Sequence, residues 1–402
     1  MKNVHPMAWA IIVGTLFARL ATSMSMPFLG IYLAVVKGES PFIVGLILAA
    51  SSLMSVLGGF VGGNLSDQYG RKKIMLGSVF IWAIIFFGFS LAEETYQFLL
   101  LSMANGLCKS FFEPPSRALI SEVTRPENKL FLFNLRYTAA NIGVAIGPLV
   151  GFWLGKGNSL HTFAIAGVVY VIYGFVLVIL FNKTTIPETI SSKGTTIREA
   201  FSVVRNDKVF TLFILAFILT SFGYSQLFGT LPQFFGASKS INNGAELFAT
   251  LLTLNAVSVV ALQFPILRIA KNYHPIYSTM FGTIVLAVGL IGFGVIENVW
   301  LLYGVMIFFT IGEILMTTMS DYYVDTIAPN DLRGTYFGAM AFSGIGSIIG
   351  PIIGGGLLAY FGWNGGLYIF MILGLITVSG LPLYIKGSLL TKNKKKQIEL
   401  SQ

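Results

Sequence analysis

Long apolar runs recur from one end of the chain to the other, each close to the roughly 20 residues a helix needs to cross a bilayer. The pattern predicts twelve helical spans. Six lie near residues 8–36, 42–66, 74–92, 97–119, 130–155 and 162–181, and six near 209–236, 245–270, 276–296, 299–323, 334–360 and 366–386. The longest polar stretch, residues 182–208, falls between the sixth and seventh. The halves also repeat. GVAIGPLVG begins at Gly143 and GSIIGPIIG at Gly346, so that Gly147–Pro148 and Gly350–Pro351 stand 203 residues apart; Pro126 and Pro329 share that offset. The expected architecture is therefore an all-α membrane protein of twelve transmembrane helices in two repeated six-helix halves. Its expected parts are an N-terminal bundle over 1–181, a linker over 182–208, a C-terminal bundle over 209–386 and a basic tail over 387–402.

Composition agrees with the pattern and removes alternatives. Hydrophobic residues make up 55% of the chain and charged ones 11%, with a mean hydropathy of +0.78. A soluble domain has about 25% charged residues, so this chain could not cover itself in water. Cys108 is alone, which excludes an internal disulfide. His5, His161 and His274 are far apart, giving no metal-ligand cluster, and GFWLGKGN misses the spacing of a nucleotide-binding loop. No cofactor is expected, and no cleaved leader either, because the first apolar run continues at spanning length past Met26.

Most of the 26 lysines and arginines fall on one set of loops, whereas the opposite set holds only Lys37, Lys156 and Lys239. By the positive-inside rule both termini should face the cytoplasm of a plasma-membrane protein. The net charge of +9 is mostly this topology signal, so nucleic acid is not an expected partner. The KNKKK of the tail reads as solvated charge.

One polar loop stands out. GGNLSDQYGRKKIML (residues 62–76) joins the second and third spans and packs an acid, three bases and several glycines into one turn. Within it, GNLSDQYGRKK resembles the G-x-L-a-D-r-x-G-r-k loop of the major facilitator superfamily. Gly63, Leu65, Asp67, Gly70, Arg71 and Lys72 match, and Gln68 replaces the usual base. Gly63 would admit another helix at close range and Gly70 would allow a sharp turn. Asp67 can pair with Arg71 or face the positive N-terminal end of another helix. The resemblance implies a conformational latch made by Gly63, Asp67, Gly70, Arg71 and Lys72. The plainer alternative, bare positive-inside topology, needs neither the glycines nor the acid. In the second half Ala270 stands where Asp67 would repeat, so the latch should be asymmetric.

GVAIGPLVG in turn resembles the glycine–proline motif of the superfamily's drug/proton antiporters. That resemblance makes Gly143, Gly147, Pro148 and Gly151 a flexing helix, with ordinary small-residue packing as the alternative. One departure matters: antiporters of this type carry a fourth-span arginine four residues before a glycine, and counting back from Gly106 gives Ser102. The usual proton-relay role of that position is thereby put in doubt.

Ionisable side chains near the bilayer centre cost about 2.5–3.5 kcal/mol on insertion scales, so each needs a reason. This chain places Arg19 in the first span, Lys109 and Glu113 in the fourth, Arg136 in the fifth, and Glu313 and Asp321 in the tenth. Asn105, Lys109, Glu113 and Arg117 recur every four residues and share one helical face, which predicts Lys109–Glu113 and Glu113–Arg117 ion pairs. Pro114 and Pro115 follow, removing two backbone donors and bending the helix. Segment TIGEIL around Glu313 resembles a Gly-Glu segment of proton-coupled members of the superfamily, and Thr317 and Asp321 continue its face as a polar track. A buried carboxyl that keeps its proton until a cation approaches can exchange one for the other. The alternative for Glu313 is a permanent salt bridge to Arg19 or Arg136.

These features give Glu313, Asp321 and Glu113 as proton-coupling candidates and Arg19, Lys109, Arg136, Asn141 and Tyr224 as cavity residues. Phe217, Phe222 and Phe228 are further cavity candidates whose ordinary explanation is lipid contact. The favoured function is proton-driven export of amphipathic small molecules by alternating access. A rival is symport of zwitterions or anions, since the first half is positive where the second is negative. A sensor or scaffold is a third reading, against which the short loops argue. No nucleophile–base or metal constellation supports an enzyme. Expected partners are a small-molecule substrate, protons and the lipid bilayer, with the monomer as the working unit.

Overall fold

The computed structural model describes residues 4–39, 41–155, 160–184, 197–237 and 244–400. Every regular element among them is helical. The first six spans are α1 (Pro6–Ile31), α2 (Pro41–Tyr69), α3 (Arg71–Leu91), α4 (Thr95–Glu122), α5 (Pro126–Gly155) and α6 (His161–Lys183). A short amphipathic helix, α7 (Ile197–Asn206), precedes the second set. That set comprises α8 (Lys208–Ser225) with α9 (Thr230–Ala237), α10 (Gly244–Ala270), α11 (Pro275–Val295) and α12 (Val299–Ile327). It ends with α13 (Arg333–Ala339) leading into α14 (Gly344–Phe361), then α15 (Gly366–Val378) leading into α16 (Leu381–Leu400). The expected twelve spans are thus present. Ten stretches among the described residues are long and apolar enough to cross a membrane. The other two, α4 and α5, are of spanning length and carry Lys109, Glu113, Arg117 and Arg136. Lys2, Lys156, Lys193, Lys239 and residues 185–196 of the expected linker lie outside the described residues.

Local chemistry sets the helix ends. The Asp207 carboxylate accepts from the Val209 and Phe210 amides and starts α8. His274 caps α11 with Pro275 at the first helical position. The seventh span breaks after Ser225 into a tight turn, in which the Leu227 amide donates to the Tyr224 carbonyl at 3.2 Å. Helix α4 runs unbroken through Pro114 and Pro115 to Glu122. Gly62 of α2 lies against the Ser110 carbonyl, one of the two acceptors those prolines leave without an intrahelical donor. The tail expected from residue 387 is helical through Leu400 as part of α16.

The chain divides into two compact units: Met1–Phe201 with Ala328–Ala341, and Ser202–Ile327 with Phe342–Gln402. In unit 1, α3 and α6 interlock through a ladder of rings. Trp82 and Tyr170 are 4.7 Å apart, Phe86 and Tyr170 5.1 Å, and Phe89 and Phe163 4.9 Å. Unit 2 buries Phe222, Leu290, Phe309 and Phe370 in one apolar core. Large apolar side chains such as Ile84, Ile172, Ile352 and Leu375 are more than half exposed, an outer surface suited to lipid.

The repeated glycines do the same work in each unit. Gly143 and Gly147 of α5 rest on the Leu16 and Leu20 carbonyls of α1. Their repeats Gly346 and Gly350, on α14, rest on the Ile218 and Phe222 carbonyls of α8. A Cβ at Gly147 would stand 2.6 Å from the Ser23 Cβ and 2.9 Å from the Leu20 oxygen. Gly147→Leu is therefore expected to push α5 off α1 and destabilise unit 1 by about 1–3 kcal/mol. Gly147→Ala should cost less. Melting curves of the two purified variants check the order, and a leucine variant as stable as wild type would refute it.

Candidate functional site

Gly70 takes a φ of 89°, a backbone that side chains rarely adopt, and so turns the chain sharply from α2 into α3. The turn brings Arg71 back beside Asp67, 2.5 Å from guanidinium to carboxylate. Asp67 is 0% exposed. Its oxygens also accept from the amides of Gly334 at 3.0 Å and Thr335 at 2.6 Å, and from the Thr335 hydroxyl at 2.6 Å. Those amides open α13, so the acid meets a base and a helix N-terminus together. Gly63 makes the approach possible: its Cα sits against the Gly334 carbonyl, while Gly59 faces Gly338 one turn on. Two G-x-x-x-G faces, one on α2 and one on α13, thus cross at backbone distance.

Arg71 has a second acid, which sequence reasoning missed. Its guanidinium donates to Glu122 at the end of α4, at 2.7 Å, and to the Ser66 hydroxyl at 2.5 Å. Lys72 stands apart, exposed and donating to the Asn182 side chain at 2.8 Å. Of the five predicted latch residues, four meet around Asp67 and one does not.

The second cluster fills a cavity of about 190 Å³ inside unit 1. Glu113 of α4 is its centre. Arg19 of α1 bonds one carboxylate oxygen, and Arg136 of α5 bonds the other at 2.8 Å. Arg117, the predicted partner one turn away, reaches only 3.7 Å. The predicted Lys109–Glu113 pair does not form: among the described residues no carboxylate lies within ion-pair distance of Lys109. Both carboxylate oxygens are already taken by arginines from other helices. Asn105 is fixed between Trp82, whose indole N–H donates to it at 2.6 Å, and the Ser51 hydroxyl. Trp82, Phe112 and Tyr170 form an aromatic wall. Asn141 does not line this cavity; its amide donates to the Tyr137 carbonyl at 3.0 Å.

Glu313 lies elsewhere, in unit 2, and is 1% exposed. The Tyr224 hydroxyl donates to one carboxylate oxygen at 3.0 Å and the Asn255 amide to the other at 2.7 Å. Arg19 and Arg136, the bridge partners offered as the alternative for Glu313, both bond Glu113. Asn255 also donates to the Thr310 hydroxyl. Thr317 and Asp321 follow on α12, both half-buried. Phe217 and Phe222 are buried in unit 2, so lipid contact does not explain them, whereas Phe228 is exposed. The backbones of Pro148 and Gly151 lie within the unbroken α5.

A family model described as the Major Facilitator Superfamily matches residues 11–344. The uncharacterized MFS-type transporter YqjV of Bacillus subtilis (strain 168) is 44% identical over 382 residues, covering 95% of this chain and 93% of that one. A Na(+), Li(+), K(+)/H(+) antiporter of Planococcus maritimus is 26% identical over 398 residues, covering 91% and 92%. Among solved structures, the E. coli fucose:proton symporter FucP superposes with a TM-score of 0.75 at 14% identity, covering 95% of this chain and 99% of that one.

Proposed function

The chain belongs to the major facilitator superfamily and is a membrane transporter, not an enzyme, and within that family we propose that it exports amphipathic small molecules in exchange for protons. Glu313 carries the reading. It is an acid sealed in mid-span and held by two neutral donors, Tyr224 and Asn255. A carboxyl so placed keeps hydrogen-bond partners in both protonation states, which a proton carrier requires. Thr317 and Asp321 extend its face toward the cytoplasmic end of α12, and both termini lie in the cytoplasm. Glu113, bonded by two arginines, acts as their counter-ion. The antiporter of Planococcus maritimus, similar over nearly the whole chain, supports proton exchange as the mode.

Symport of anions or zwitterions is the second reading, favoured by the excess of cations in the unit 1 cavity. Purified protein in lipid vesicles separates the two. With a pH gradient imposed in each direction, an antiporter accumulates substrate on the acidic side and a symporter on the alkaline side. Accumulation that ignores the gradient would sink both.

Asp67 serves as the switch in this scheme, because its bonds to Gly334 and Thr335 must break and reform in each cycle. Asp67→Asn would turn an amide N–H toward the Arg71 or Thr335 donors. Losing a charge-assisted bond of about 1.5–3 kcal/mol should slow transport by about tenfold or more, with membrane insertion intact. Initial rates per inserted protein check this; wild-type rates would assign the loop to topology alone.

A further inference from the structure

The unit 1 cavity carries more positive charge than its own residues balance. Arg19 and Arg136 line it and both bond Glu113, the one carboxylate in its lining among the described residues. Lys109 projects into the same space, half-buried, with no carboxylate within ion-pair distance among the described residues. A cation withdrawn from water is retained only where something compensates it. Its neighbours offer little: Asn105 is committed to Trp82 and Ser51, and the Tyr170 hydroxyl lies 3.1 Å from Thr22. Arginine forks hold the carboxylate already present, whereas a lysine on a four-carbon stem is a compact charge free to follow a ligand.

Resting on the transport reading above, we infer that this cavity seats the anionic end of the transported molecule, a carboxylate joined to an aromatic or apolar body. Lys109 supplies the counter-charge, and Trp82, Phe112 and Tyr170 receive the ring. At about 190 Å³ the space is below the roughly 300–1,000 Å³ of drug-sized pockets, so it takes one ring and its acid group rather than a large drug. The charge also suits export. A monoanion leaving a cell with a negative interior moves with the potential, and the proton entering in exchange does so too.

The test is binding without any gradient, using purified protein in nanodiscs and calorimetry. The probes are benzoate and phenylacetate, each beside its neutral amide. Wild-type protein should bind each acid at least about tenfold more tightly than its amide, the scale of one charge-assisted hydrogen bond. Lys109→Met should erase that preference by weakening the acids alone, and Lys109→Arg should keep it. Equal binding of acid and amide by the wild type, binding of neither, or acid affinity unchanged in Lys109→Met would each overturn the inference. The wild-type comparison decides even where a variant fails to fold. Acid binding through Lys109 without pH-driven accumulation would overturn the proton-exchange reading and leave this site standing.

Discussion

Glu113→Gln is expected to reach the membrane poorly, and the protein recovered should melt well below wild type. The carboxylate joins three helices: α4 carries it, α1 brings Arg19 and α5 brings Arg136. Glutamine keeps the shape but not the charge, and its amide N–H faces guanidinium donors. Removing one member of a fully buried ionic cluster costs about 3–5 kcal/mol; here Arg19 is 31% and Glu113 16% exposed, so a part of that cost is expected. Here two arginines lose their bonds to the acid at once, with Arg117 and Lys109 nearby. The double variant Glu113→Gln/Arg136→Gln should recover part of the loss, since it removes one of those two charges. Thermal melting of single and double variants measures the coupling. A single variant that melts like wild type would show that the cluster holds nothing together.

The architecture was legible because a bilayer imposes it. Spans of about 20 apolar residues, cation-rich loops and the glycine–proline repeat all report on packing or solvation that one helix feels locally. Partners across helices were harder. Spacing along α4 offered Lys109 as the partner of Glu113, yet arginines from α1 and α5 took both oxygens. An i,i+4 rule sees only its own helix and cannot weigh a stronger fork arriving from another. Glu122 escaped notice for the same reason: it ends α4 in an ordinary-looking loop and meets Arg71 only in the folded unit. Asn255 was findable, being with Gln263 one of two amides in the long apolar run of α10, and such a residue needs a buried partner. The contact around Asp67 is partly local: Gly70 turns the chain and sets Arg71 beside Asp67, whereas Gly334, Thr335 and Glu122 come from afar.

Glu313→Gln is expected to abolish pH-driven accumulation while leaving the protein stable and able to exchange substrate downhill. Tyr224 and Asn255, which donate to Glu313, are neutral, so glutamine can keep both contacts. Glutamine's oxygen can accept from Asn255. Its amide can donate to the Tyr224 oxygen, because that hydroxyl rotates to serve as acceptor instead of donor. One hydrogen bond is exchanged for another, at a net change of about 1 kcal/mol or less. This outcome contrasts with Glu113→Gln, where the same substitution takes the acid from two arginines and should damage folding. Coupling is another matter, since an amide has no proton to carry through the cycle. In vesicles, counterflow of labelled substrate should continue while a pH gradient no longer drives accumulation. Tyr224→Phe is the matching control: it removes one donor but leaves the titrating group, so coupling should persist with altered pH dependence. A stable Glu313→Gln protein that still accumulates substrate against a gradient would place the proton on another residue. A Glu313→Gln protein that fails to fold would instead mean that the carboxylate balances a charge in unit 2, making it a structural counter-ion like Glu113.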